Sequence, residues 1–213
     1  MRRLSLLDSL LGEIDAALQT LMPPKSRLST RVTPAMKVAE CALNTSEKKH
    51  IAGLMRVNHS GEVCAQALYR GQALTAQLVE VRTQMANAAA EEVDHLAWCE
   101  QRLHELESHP SLLNPLWYFG SLMLGMVAGA AGDRWSLGFV AETERQVSQH
   151  LQTHLRKLPA QDSKTKCILE RMHDDETHHA DIAIAAGAAE LPDFIKKVMS
   201  AVSKLMTHSS YHV

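Results

Sequence analysis

Apolar side chains recur along this chain at helical spacing. Between residues 4 and 21 they fall at 4, 7, 11, 14, 18 and 21, the pattern of one helix face. A stretch of breakers follows, with Pro23, Pro24, Ser26, Ser29, Thr30 and Pro34, and reads as a loop. From Ser46 the periodicity is nearly continuous. It predicts helices near 47–77, 81–107, 115–131, 134–158, 162–186 and 191–206, broken at Ser108-His109-Pro110, Gly132, Pro159 and Pro192. Residues 1–45 are therefore read as an N-terminal appendage and 46–213 as the main domain.

One predicted helix differs from the rest. Between Ser108 and Gly132 there is no Asp, Glu, Lys or Arg. Asn114-Pro115 reads as an N-cap followed by a first-turn proline. A helix over 115–131 would be roughly 25 Å long, short of the ~30 Å hydrocarbon core. It is expected to be buried or to lie within one leaflet, and Gly125 and Gly129 sit four residues apart inside it.

Composition narrows the class. Lys plus Arg number 22 against 24 for Asp plus Glu, which leaves no basic excess for nucleic acid. Trp, Tyr and Phe number three each, too few β-formers for an all-β fold. Cys41, Cys64, Cys99 and Cys167 lie far apart, so neither a disulfide framework nor a zinc knuckle is indicated, and a reducing compartment fits. The start, Met1-Arg2-Arg3-Leu4, begins like a targeting signal, but Asp8, Glu13 and Asp15 interrupt it.

The chemistry lies in carboxylates placed where a helix should be apolar. Burying a carboxylate is costly unless something binds it. Glu62 shares a face with Ile51, Met55, Asn58, Ala65 and Tyr69, and Glu92 with Met85, Ala88, His95, Cys99 and Leu103. Glu144 lies among Leu137, Val140, Val147, Leu151, Leu155 and Leu158, and Glu176 among Leu169, Met172, His179, Ala183 and Gly187. Glu92/His95 and Glu176/His179 are Glu-x-x-His pairs whose members share a face. Glu47/His50 and Glu170/His173 have the same spacing but polar surroundings. Arg171, Asp174 and Asp175 near the face of His178 favour His179, and the polar face of Glu142 favours Glu144.

Spacing strengthens the pattern. Glu62 and Glu92 are centred on Gln77, and Glu144 and Glu176 on residue 160, beside Pro159. In an antiparallel hairpin, residues equidistant from the turn lie at one height. The chain thus reads as two hairpins, each offering a lone Glu and a Glu-x-x-His at matching depth, joined by an apolar crossover. That is the constellation of all-α, ferritin-like di-metal carboxylate bundles. The expected architecture is a four-helix bundle with a long apolar crossover helix and peripheral N- and C-terminal helices. Four carboxylates and two imidazoles suit iron or manganese better than zinc.

The stretch Arg56-Val57-Asn58-His59-Ser60-Gly61-Glu62, with Ala65, Tyr69 and Gly71-Gln72, resembles the first motif of the demethoxyubiquinone hydroxylases, di-iron monooxygenases of ubiquinone biosynthesis. Glu92-Val93-Asp94-His95, the segment from Val140 to His150, and Asp174-Asp175-Glu176-Thr177-His178-His179 resemble its later motifs in order, over about residues 46–190. Val63-Cys64 and the 1–45 extension depart from the family pattern without touching a candidate ligand.

The resemblance implies two Fe ions, one held by Glu62 and His95, the other by Glu144 and His179, with Glu92 and Glu176 bridging. It implies O2 and a polyprenyl methoxy-methyl-benzoquinol as substrates, with electrons from the quinol or from a reductant such as NADH. It implies a peripheral or monotopic place on a membrane surface, expected at the cytoplasmic face of a bacterial inner membrane, and allows a homo-oligomer or a ubiquinone-biosynthesis complex. Asp94, Asp175 and Glu91 are candidates to orient the ligating imidazoles, and His150 and Tyr69 stand near the site. The nearest alternative is a ferritin-like iron or peroxide-handling protein using the same ligands.

Overall fold

The computed structural model describes residues 6–22, 27 and 29–213. The start at Met1-Arg2-Arg3-Leu4 and the breakers Pro23, Pro24 and Ser26 lie outside them. Seven α-helices and no strand are present among the described residues. They are α1 (Leu6–Leu21), α2 (Thr45–Thr75), α3 (Val79–Glu105), α4 (Asn114–Ala130), α5 (Asp133–Lys157), α6 (Ser163–Ala185) and α7 (Asp193–His212). Consecutive pairs α2/α3 and α5/α6 pack against each other as the two expected hairpins, and α4 connects them while lying against α2.

Local chemistry explains the boundaries. A capping box opens α2: Asn44 accepts from the backbone N–H of Glu47, and the Glu47 carboxylate accepts from that of Asn44. Glu47 is thereby engaged as a cap. Asp162 caps α6 by accepting from the backbone N–H of Thr165. The α2/α3 turn has weak chemistry of its own. It is held from a distance by Asp133, whose two carboxylate oxygens accept the N–H groups of Gln77 and Leu78.

Two expectations are corrected. Asn114 does not cap α4. Leu113 occupies the cap without a side-chain hydrogen bond, and the Asn114 side chain turns inward to accept from Ser60 at 2.7 Å and to meet His59 Nδ1 at 3.1 Å. The last helix, expected to end at residue 206, runs to His212. Its final turn is polar in sequence but is fixed by long-range contacts: Tyr211 Oη meets His50 Nδ1 at 2.7 Å, and Arg56 donates to the Tyr211 carbonyl at 2.8 Å.

The crossover helix packs backbone to backbone. A Cβ on Gly71 of α2 would strike the Leu122 carbonyl of α4, one on Gly125 the Leu68 carbonyl, and one on Gly129 the Thr75 hydroxyl. The Gly125/Gly129 pair is thus used within the chain. Helix α4 buries Asn114, Tyr118, Gly125 and Gly129 and exposes Leu116, Phe119, Met123, Leu124 and Val127.

Two apolar clusters fill the bundle, one including Ile51, Met55, Trp98, Leu103, Leu151, Leu169 and Met172, the other Tyr69, Met85, Leu137, Val140 and Ala183. Each of the four bundle helices contributes to both, and its key glutamate lies between the two contributions. Full burial of a large aliphatic side chain stabilises by about 1.5–3 kcal/mol. Several such residues on either side offset the several kcal/mol that desolvating each carboxylate costs.

The segment before α2 crosses the outside of α3 and is tied to it at three levels. Arg27 pairs with Glu100 at 2.8 Å, Arg31 with Asp94 at 2.8 Å, and Glu40 with the buried Arg102 at 2.6 Å.

Candidate metal centre

All six residues singled out from the sequence converge. Glu62 of α2, Glu92 and His95 of α3, and Glu176 of α6 form one group, and Glu92, Glu144 of α5, Glu176 and His179 of α6 a second. Within each group the ligand atoms lie within 4.8 Å of one another. Glu92 and Glu176 belong to both groups. The four glutamates are 0–2% exposed.

The histidines are oriented alike. His95 turns Nδ1 inward, 2.9 Å from Glu92, 3.1 Å from Glu176 and 3.4 Å from Glu62. Its Nε2 faces outward to Asp175 at 3.0 Å. His179 places Nδ1 3.3 Å from Glu92 and 3.6 Å from Glu176, with Nε2 on Glu91 at 2.7 Å. Asp175 and Glu91 therefore orient imidazoles. Asp94 does not: it accepts from Arg31 and Thr30 instead.

The competing candidates lie elsewhere. His178 is exposed, Glu142 accepts from Gln146 at 2.7 Å, and Glu170 is an exposed residue beside Lys166. His150 is partly buried, 3.9 Å between ring centroids from His154, and lines a small cleft with Glu62.

Burial first, then the neighbouring carboxylates Glu92 and Glu176, push the Glu62 and Glu144 carboxyls well above the ordinary range. Burial opposes the charging of His95, but Glu92 and the surrounding carboxylates raise it well above its usual value. His179 is pushed up to about 12 by Glu176 and Glu92 against the same burial. Burial also works against the Glu92 and Glu176 carboxylates; the imidazoles beside them hold Glu92 low, and the Glu144 carboxyl together with the imidazoles holds Glu176 low.

Four polar atoms in this cluster, Glu92 Oε1, Glu144 Oε1, Glu176 Oε1 and His179 Nδ1, are buried without a hydrogen-bond partner. Native interiors leave few such atoms unsatisfied. Carboxylate oxygens and an imidazole nitrogen aimed at common points form the donor set of a hard or borderline divalent cation, so the cluster can hold metal.

Beside it opens a cavity of about 350 Å³ lined by Tyr69, Met85, Glu91, Val140, His179 and Ala183, among others. The Tyr69 residue is fully buried and its hydroxyl has no partner.

The chain was also compared with known proteins. The family described as Ubiquinone biosynthesis protein COQ7 matches residues 49–210. The chain belongs to the COQ7 family. Relatives named 3-demethoxyubiquinol 3-hydroxylase, from Legionella pneumophila (strain Corby) and Acinetobacter baylyi, are 65% and 57% identical to it over 213 residues, the full length of both chains in each case. The COQ7 match spans α2 to α7 and contains all six cluster residues. It begins after the segment carrying Arg27, Arg31 and Glu40. Those strap contacts had no local signature, because each pairs residues more than 60 positions apart.

Proposed function

We propose that this chain is an O2-dependent hydroxylase of the ring of a polyprenyl methoxy-methyl-benzoquinol, 3-demethoxyubiquinol, working at a pair of iron ions in ubiquinone biosynthesis. The observation that carries this reading is the six-residue cluster with its four unsatisfied buried atoms, in a chain whose full-length relatives are named for that hydroxylation. Glu62 and His95 would hold one iron, Glu144 and His179 the other, with Glu92 and Glu176 shared. A carboxylate-rich iron pair with open coordination positions supplies O2 activation.

The chain's own residues do the rest. His95 and His179 present Nδ1 inward because Asp175 and Glu91 hold the opposite nitrogens. The quinol ring would enter the cavity beside His179, where Met85, Val140 and Ala183 supply apolar contact and exclude water. The Tyr69 hydroxyl would there hydrogen-bond a ring oxygen.

A polyprenyl substrate lies in a bilayer. No helix among the described residues is long and apolar enough to cross one. The exposed row Leu116, Phe119, Met123 and Val127 on α4 instead supports lying at the membrane surface as an interfacial helix. We place the protein peripherally at the cytoplasmic face of the inner membrane, a location its four free cysteines fit.

The test is anaerobic purification in mild detergent, metal counting, and turnover of demethoxyubiquinol under ¹⁸O2 with a chemical reductant. Two irons per chain and one labelled oxygen in the product are expected. Stoichiometric zinc, no iron after loading, or an unlabelled product would overturn the reading.

A further inference from the structure

The two histidines of the cluster are supported unequally. Glu91, behind His179, has a side chain 58% exposed. Asp175, behind His95, is 12% exposed and sits in a cage of cations. Arg31 donates from Nη1 to Asp175 Oδ2 at 2.7 Å, and that same oxygen meets His95 Nε2 at 3.0 Å. Arg171 reaches the other oxygen, Oδ1, at 3.0 Å.

Arg31 is itself fixed from four sides. Its Nε donates to Asp94 Oδ2 at 2.8 Å. Asp94 is locked in turn by the Thr30 backbone N–H at 2.7 Å and the Thr30 hydroxyl at 2.9 Å. The guanidinium carbon lies 4.9 Å from the centroid of the Trp98 ring, a cation–π distance. Trp98 donates back to the Arg31 carbonyl at 3.4 Å, and its ring packs 5.3 Å from that of His95. One guanidinium thus spans two carboxylates on two bundle helices, α3 and α6, and reaches a cluster imidazole through the second of them.

We propose that Arg31, on the strap ahead of the bundle, is a positioning residue for His95, setting the metal affinity of the His95 half of the centre and not of the His179 half. The physical reason is geometric. His95 can aim Nδ1 at the cluster only while Nε2–H has a fixed acceptor. Asp175 is fixed because Arg31 and Arg171 hold its two oxygens in place. A planar fork reaches two carboxylates at once, which an ammonium cannot do. The inference rests on the six-residue metal centre proposed above and adds a role for the strap.

The test is anaerobic ferrous-iron loading followed by competition with a ferrous chelator, resolving the two sites. Removing an outer partner of a metal-bound histidine weakens affinity roughly 10–100-fold. In Arg31→Ala, one of the two irons should weaken by at least ~10-fold while the other keeps its wild-type affinity. Asp175→Asn should do the same, and Arg31→Ala/Asp175→Asn should be no worse than Asp175→Asn alone, because Arg31 acts through Asp175. Arg31→Lys should restore the affinity only in part. Arg27→Ala cuts another strap anchor that touches no cluster residue and should leave both sites unchanged.

Equal weakening of both irons, no weakening of either, or additive losses in the double variant would overturn the proposal. So would matching losses from Arg27→Ala. If Arg31→Ala did not fold, the comparison of Asp175→Asn, Arg31→Lys and Arg27→Ala would still decide it. Failure of the metal-centre reading itself would show earlier, as a wild-type protein that does not take up two irons.

Discussion

Helix α4 can stay against α2 only because its interface glycines lack side chains, and this makes a sharp prediction about two glycines in the same helix. A Cβ at Gly125 would lie well inside 3.0 Å of the Leu68 carbonyl oxygen and 3.0 Å from its carbon. Both are backbone atoms of α2, so no side chain can swing aside. The helices would have to part by roughly 1 Å to restore ordinary contact distances. Overpacking of this kind costs about 1–3 kcal/mol. Gly120 faces open space, with nothing within 4 Å of the same construction.

At Gly120 only the helical preference for alanine acts, worth about 0.5–1 kcal/mol in the stabilising direction. Gly125→Ala gains that same increment but loses more to the clash. The two variants should differ by about 1–3 kcal/mol and have opposite signs. For a chain of this size, 1 kcal/mol shifts the melting temperature by about 2–4 °C. Thermal melts of both variants, each with and without iron, measure the difference. Equal melting temperatures, or a more stable Gly125→Ala, would refute the backbone contact.

The other predictions follow from particular side chains. Glu144→Ala should lower iron content and abolish hydroxylation, whereas Glu142→Ala, which loses only the bond from Gln146, should do neither; metal analysis and product quantification in the opposite order would refute the assignment. Met123→Lys places a charge on a side that is 63% exposed, where a charge costs up to about 2.5–3.5 kcal/mol at a bilayer centre and less at the interface. Flotation with vesicles should drop at least ~10-fold with iron content intact, whereas Leu122→Lys, packed against the core, should destabilise the fold; unchanged flotation of Met123→Lys would rule out contact through α4. Burial first, then His150, pushes the His154 imidazole down from 6.5 to about 2. Its neutral form, donating Nδ1–H to the Asn58 side-chain oxygen at 2.8 Å, therefore stabilises the fold fully above pH 6.5, and that share is lost as pH falls below it, about 2 kcal/mol by pH 5. His154→Gln should flatten this part of the acid decline in denaturant midpoints, and parallel pH curves for variant and wild type would contradict it.

The bundle was legible because its signals are local and periodic. Glu62, Glu92, Glu144 and Glu176 each interrupt an apolar stripe, and the equal spacing about Gln77 and Ala160 places them at one height before any contact is known. His179 over His178 and Glu144 over Glu142 follow from helix phase alone. What stayed hidden depends on contacts distant in sequence. The α2/α3 turn is held by Asp133, 55 residues from Leu78. Asn114 resembles a cap but is drawn inward by Ser60 and His59, and the last turn of α7 is fixed by His50 and Arg56. The bond from Arg31 to Asp175 spans 144 residues, and no pattern within either helix or loop announces it.

The charge carried by the cluster ties these features to the work of the site. Four buried carboxylates cannot all be ionised side by side without compensation. Burial and the neighbouring carboxylates favour the neutral forms of Glu62 and Glu144, and those carboxylates favour the charged forms of the two imidazoles. Divalent ions would take the place of the protons shared among these groups, drawing on each inward Nδ1 and on the four carboxylates as ligands. The apolar clusters above and below make this exchange necessary, since they deny the carboxylates water. The outer acids make it directional, since Asp175 and Glu91 keep the Nε2 protons in place while Nδ1 gives up its own. Metal uptake must therefore release protons and weaken as pH falls. The strap bearing Arg31 bears on the half of the exchange that runs through His95.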